Sequence, residues 1–328
     1  MAKAAEEKAK AVTTVNSKKG EKFRRFLLDS KKTWQLYLFC VIPLAYLLIF
    51  NYYPMFGVQI AFKSYTASKG IWGSQWVGLK HFKTFFTSYQ FSRTIINTLR
   101  ISVYSLLTGF PLAIVFALML NLVRNARIKK WIQTITYVPH FISTIVIVGI
   151  IFQLFNPVTG VYGYIYRIFN PGEYPVDLFT KADVFPHMYI WSGIWQQLGW
   201  SSIIYIAALA GVDPELHEAA EIDGANRWQR IWTIDLPAIL PTASIMLILR
   251  FGSIMSVGYE KVYLMQNDLN LVKSEVISTY IYKVGLKSAT TFSYGTAIGL
   301  FNSVINCTLL VLVNWIAGRF GEGGTSLW

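Results

Sequence analysis

Apolar residues in this chain run together in long uncharged stretches, at residues 33–62, 101–123, 131–166, 184–212, 251–259 and 288–318. Most of them exceed the ~20 residues that an α-helix needs to cross the hydrocarbon core of a bilayer. The fifth is cut short by Arg250, but joined to the apolar residues 237–249 it reaches the required length. The pattern predicts an all-α membrane protein with six spans, at residues 34–52, 94–122, 131–155, 184–211, 241–264 and 293–317.

Composition agrees, since 54% hydrophobic and 14% charged residues are too apolar a mixture for an ordinary soluble domain. The formal net charge of +13 raises nucleic acid as a partner, but its distribution argues for topology instead. Ten of the thirty Lys and Arg residues precede Trp34, and others sit at Arg124, Arg127, Lys129 and Lys130, at Arg227 and Arg230, and at Arg319. An even number of spans puts both termini and all these groups on one side, which the positive-inside rule makes the cytoplasm. The opposing segments carry Lys63, Lys69, Lys80 and Lys83, then Arg167 and Lys181, then Lys261, Lys273, Lys283 and Lys287, so the bias is moderate and the N-terminal tail decides it.

The division expected is a basic cytoplasmic tail, 1–33, and a multi-pass domain of the bacterial inner membrane, 34–328. The first span is read as a retained anchor, because it runs into Asn51-Tyr52-Tyr53-Pro54 with no small-residue cleavage site. Cys40 and Cys307 lie in predicted spans without a second Cys or a His at ligand spacing, so no metal site or disulfide framework is expected.

Two external segments stand out. Residues 53–93 carry Trp72, Trp76, Phe82, Phe85 and Phe86, which suits a helix lying along the membrane surface. Residues 156–183 carry Pro157, Gly160, Gly163, Pro171, Gly172 and Pro175, a turn-rich composition. Each either meets a soluble partner or merely connects helices.

The most informative stretch is the cytoplasmic segment 213–237. Asp213 is a good N-cap and Pro214 suits the first helical position. Glu215, Glu218 and Glu221 favour the positive end of the helix, and Gly224 is placed to end it. Ala219 and Ala220 keep one face small enough to press against another protein. A second amphipathic turn at 228–234 then leads to Pro237 and Pro241, the entry to the next span.

Glu218-Ala219-Ala220, Gly224 four residues on, and Ile234-x-Leu236-Pro237 resemble the EAA-loop signature of permeases in binding-protein-dependent ABC importers. Ala207-Ala208-Leu209, Glu221-x-Asp223-Gly224-Ala225 and Trp228 are similar to its carbohydrate-uptake branch. Residues 254–262, 274–282 and 324–328 are similar to the polysaccharide and oligosaccharide subgroup, which includes permeases for alginate. The resemblance covers residues 30–328.

It implies a type I importer permease fold, with Glu218, Ala219, Ala220, Asp223 and Gly224 in a coupling helix that docks on a separate ATPase subunit. It also implies a second permease, two ATPase subunits that bind ATP and magnesium, an extracytoplasmic solute-binding protein and a glycan substrate. The chain has no G-x-x-x-x-G-K-[ST] loop, so it is expected to be a non-hydrolytic subunit with no cofactor of its own and no catalytic residue.

Polar residues within spans nominate a solute path. Gly193, Gln196, Gln197 and Trp200 fall on one helical face, and Arg250, Ser253, Ser256 and Glu260 form a comparable stripe in the fifth span. Trp200 with the two glutamines fits a sugar platform, and Arg250 suits an acidic glycan. Hydrogen bonding between helices, or pairing of Arg250 with Glu260, would explain the same residues. Arg100, Asn97, Asn302 and Asn306 are weaker candidates. An ion-coupled secondary transporter is the alternative, but it calls for intramembrane carboxylates, and only Glu260 lies near a span end.

Overall fold

The computed structural model describes residues 33–288 and 291–320, and it divides into two compact units, 1–59 and 60–328. The basic tail and the last eight residues, including the 324–328 motif, lie outside the described residues. In the first unit helix α1 spans Trp34–Leu47 and continues through a π-turn at Leu48–Tyr52. The helical run is 29 residues long when followed through Phe62.

The second unit is built from α2 (Tyr89–Asn121), α3 (Ala126–Tyr137), α4 (Thr144–Leu154), α5 (Phe185–Ala210), α6 (Pro214–Ile222), α7 (Leu236–Phe251), α8 (Tyr259–Met265), α9 (Ile277–Ile281) and α10 (Phe292–Phe320). Among the described residues, four helical runs are long and apolar enough to cross a bilayer: Trp34–Phe62, Tyr89–Asn121, Arg227–Phe251 and Phe292–Arg319. A fifth is obtained by joining Ala126–Phe141 to Thr144–Leu154, which are bent by 102°. Helix α5 has 26 residues, enough to reach about 39 Å, but its glutamines, serines and glycines lower its apolarity. A count of six therefore rests on α5 and the bent pair being spans.

The bend at the third span has a local cause. Pro139 turns the end of α3 into a short 3-10 stretch, Val138–Phe141, and Ser143 adopts extended backbone and caps α4 by accepting from Val146 N at 3.4 Å. One expected span is thus two helices. The fifth span also ends earlier than expected, at Phe251 instead of 264. Residues 252–258 form turns and a short extended stretch before α8 begins. Ser253 and Ser256 consequently sit in this break, not on a continuing helical stripe.

The aromatic segment before α2 is not a single interfacial helix. It folds into a short antiparallel pair, Lys63–Ser64 with Gln75–Trp76, and a helix at Lys80–Phe86. Phe85 is fully buried against Phe91, Tyr280, Tyr294 and Phe301, while Trp72 and Trp76 remain exposed.

Packing of α5 along α2 and α7 is close because the contact is made by small residues. Ala113 and Ala117 of α2 and Ala243 of α7 are buried with Tyr205 and Leu209 of α5. Lipid is as apolar as these side chains, so close packing and hydrogen bonds, not burial from water, hold such helices together.

Gly199 shows how tight the fit is: a Cβ there would lie 2.6 Å from Thr136 C and 2.8 Å from Tyr137 Cδ1 on α3. Gly199→Leu is expected to push α5 off α3 and to destabilise the fold by about 3 kcal/mol, in the range for overpacking against a rigid neighbour. A lower melting temperature of the purified protein in detergent is the readout, and an unchanged one would show that the two helices separate freely.

Candidate functional site

The segment between α5 and α7 folds as its residues dictate. Asp213 caps α6 by accepting from Glu215 N at 3.0 Å, and Pro214 follows as the first helical residue. The helix ends in a left-handed turn at Gly224, φ +79°, where Ala225 N donates to Ala220 O at 2.9 Å. Only glycine takes that conformation without strain. Asn226 and Gln229 then form a capping box, with bonds of 2.9 and 2.7 Å, that starts the run into α7.

No residue of α6 is buried. Glu218 and Ala219 are exposed, Ala220 is half-buried, and Asp223 and Gly224 lie exposed at the end of the helix. Ile222 is 87% exposed, with Leu216 and Trp228 also open to solvent nearby in sequence. Ile222 stands outside the pattern of acids and alanines that marks this segment in sequence. A lone large apolar residue at the end of an acidic helix was the available signal.

Polar contacts tie this helix to the spans. His217 Nε2 lies 3.4 Å from Asp235 Oδ1, and Asn121 Nδ2 at the end of α2 donates to the same oxygen at 3.3 Å. Arg230 pairs with Glu221 at 3.1 Å. Asp235 is 3% exposed, so the α6 helix is linked to both α2 and the entry of α7 through one buried carboxylate. His217 is the partner on α6.

A cavity of about 400 Å³ lies between α2, α5 and the end of α7. Gly193, Gln196, Gln197, Arg250, Ser253 and Ser256 all line it, together with Ser102, Ser105, Ser201, Tyr189 and Lys261. Trp200 lines a neighbouring pocket with His140 and Arg250.

Several of these side chains already have partners. Gln196 Nε2 donates to Ile142 O at 3.1 Å, which satisfies a carbonyl freed by the α3–α4 bend. Gln197 Oε1 lies 2.8 Å from His140 Nδ1, and the His140 ring stacks on Trp200 at 4.1 Å between centroids. Ser256 Oγ accepts from Asn306 Nδ2 at 2.8 Å, and Asn306 Oδ1 accepts from Met255 N at 3.0 Å. These bonds hold the broken ends of two helices as well as lining the cavity.

Arg250 makes no ion pair with Glu260 among the described residues, and its side chain is exposed on both pockets. Among the weaker candidates, Asn97 is buried and donates to Val272 O at 2.9 Å and Glu275 O at 3.0 Å. The side-chain amide oxygen of Asn302, Oδ1, is buried without a partner among the described residues.

Known proteins give this geometry a context. The family described as binding-protein-dependent transport system inner membrane component matches residues 109–321. Protein LplB of Bacillus subtilis (strain 168) is 44% identical over 294 residues, which cover 90% of this chain and 92% of LplB. The polygalacturonan/rhamnogalacturonan transport system permease protein YteP of the same strain is 42% identical over 322 residues, covering 98% of this chain and 99% of YteP.

Among solved structures, a chain of a bacterial ABC transporter involved in the import of the acidic polysaccharide alginate superposes with a TM-score of 0.82 at 38% identity. The match covers 91% of this chain and 100% of that one. A chain of a bacterial alginate ABC transporter in complex with an alginate pentasaccharide-bound periplasmic protein gives 0.81 at 39%, covering 90% and 97%.

Proposed function

From the premise that this chain belongs to the family of binding-protein-dependent transport system inner membrane components, we propose that its cavity passes an acidic oligosaccharide or polysaccharide. The protein is a multi-pass membrane permease of an ABC importer, of the kind that carries sugars and polysaccharides, and not an ion-coupled transporter. The observation that carries the acidic substrate is the lining of the cavity. Two cations, Arg250 and Lys261, stand among hydroxyls and amides, and no Asp or Glu is among the residues that line it. Hydroxyls and amides match the hydroxyl groups of a sugar, and the cations match its carboxylates.

In this reading both termini are cytoplasmic, a second permease completes the pore, and a solute-binding protein delivers the glycan from outside. Two ATPase subunits bind ATP and magnesium, and each receives a helix of the α6 type. Glu218, Ala219, Ala220, Asp223 and Gly224 form the contact, and Ile222 supplies the apolar anchor that an interface centre favours. ATP-driven closure of the ATPases would then move α6, and Asp235 would pass that motion to α2 and α7.

The test is ATP hydrolysis by the purified complex in lipid, with and without the binding protein and with oligouronates or neutral oligosaccharides. Stimulation by oligouronates is expected, and stimulation by neutral glycans alone would overturn the acidic reading. Arg250→Ala is expected to reduce oligouronate uptake about tenfold, as loss of one charge-assisted contact does, and neutral uptake less. Equal losses for both substrates would remove Arg250 from charge recognition.

A further inference from the structure

We propose that Lys261 is a specificity-determining residue of the cavity, whose ammonium pairs with a carboxylate of the passing glycan. The proposal deepens the acidic-glycan reading and rests on it.

The sequence counts Lys261 with the basic residues opposite the N-terminal tail, near the end of the fifth expected span, where a lysine would ordinarily reach out to solvent. The structure places it elsewhere. Lys261 is 9% exposed, in the first turn of α8, and it lines the cavity beside Tyr189 and Gly193 of α5. Its Nζ donates to Tyr189 O at 3.1 Å and stands 5.2 Å from the centroid of the Tyr189 ring. A lysine ammonium has three N–H donors, and among the described residues Tyr189 O is the single acceptor that Lys261 meets. No carboxylate of the described residues pairs with it.

A buried cation without a counter-charge is costly, and an ionisable side chain facing a cavity within a membrane bundle marks a functional position. Gly193 explains how the glycan reaches it. A Cβ at Gly193 would lie 3.5 Å from Lys261 Nζ, so the glycine leaves the ammonium uncovered toward the cavity. The break after α7 has the complementary effect, since it ends the helix at Phe251, just past Arg250, and lets α8 return its lysine to the same space. Two cations on separate elements then face one chamber. Such a pair suits a polymer that carries a carboxylate on each residue better than a neutral sugar.

Two variants test the assignment in the complete complex, reconstituted in vesicles with its binding protein. Lys261→Gln removes the charge and keeps a donor for Tyr189 O. Gly193→Asp keeps Lys261 and sets a carboxylate beside it, so that the protein neutralises its own cation. Uptake is measured for an oligouronate and for the same glycan with its carboxyl groups reduced to alcohols.

Both variants are expected to lower the ratio of oligouronate to reduced-glycan uptake about tenfold, and Lys261→Arg to restore it to within about threefold of the original. Where the reduced glycan is not carried at all, the ratio between the Arg and Gln variants gives the same reading. An unchanged ratio, in a protein that carries oligouronates, would overturn the role of Lys261 and leave the acidic reading standing. If the unaltered protein carries only the reduced glycan, both fall together.

Discussion

Gly224→Leu is expected to abolish most glycan-stimulated transport, by tenfold or more, while the spans remain folded. The residue sits in the left-handed region at φ +79°, where an L-amino acid costs about 1–2 kcal/mol. No heavy atom lies within 4 Å of the position a Cβ would take, so the strain is conformational and not a clash within the chain. Relieving it would unwind the end of α6, break the Ala225-to-Ala220 bond and turn Asp223 away from its present course. The large side chain would also stand on the surface proposed to meet the ATPase. The readouts are ATP hydrolysis and uptake by the assembled complex. Normal coupling in a correctly assembled variant would show that this turn makes no functional contact.

Glu275→Ala is expected to have the largest effect on stability, about 3–5 kcal/mol, the range for removing one partner of a buried ionic group. Glu275 is 3% exposed and holds two cations at once, Arg93 at the start of α2 and Lys283 beyond α9, the latter at 3.0 Å. Burial first, and repulsion from Arg93 second, keep Lys283 below the usual lysine range even with the carboxylate in place. Without Glu275 the two cations would face one another.

The same cluster fixes the segment 271–286. Asn97 binds the carbonyls of Val272 and Glu275, Thr98 Oγ1 accepts from Ile277 N at 3.0 Å, and Ser278 Oγ donates to Val257 O at 2.9 Å beside the cavity. Thermal unfolding in detergent measures the loss, and Glu275→Gln should lose less because it still accepts hydrogen bonds. An unaltered melting temperature for Glu275→Ala would mean that water reaches and screens the cluster.

The local punctuation of the segment 213–237 was legible because it is written in adjacent residues. Asp213, Pro214 and Gly224 act on backbone groups within a few positions of themselves, so the start and end of α6 follow from sequence order. The long helices were legible for a similar reason, since a bilayer demands uninterrupted apolar length. The bend within the third span was less so. Pro139 and Ser143 were visible, but the carbonyl of Ile142 has a partner only because Gln196 arrives from a helix more than fifty positions later. Spacing places the glutamines on one face of a sugar path, and in the structure that face serves the bend and lines the cavity together.

The chain's sequence by itself determined that it is a predominantly helical membrane protein, where α6 begins and ends, and which permease family its motifs resemble. Each depends on residues close together or on gross apolarity. Tertiary structure alone decided that Lys261 lies in the cavity and that Glu275 holds two cations. It also decided that His217 reaches Asp235 and that Ser253 and Ser256 belong to a broken helix end. A charge in sequence carries no mark of its depth. Its surroundings are set by elements that return from distant parts of the chain, and those surroundings decide whether it is a solvated lysine or a cation waiting for a ligand.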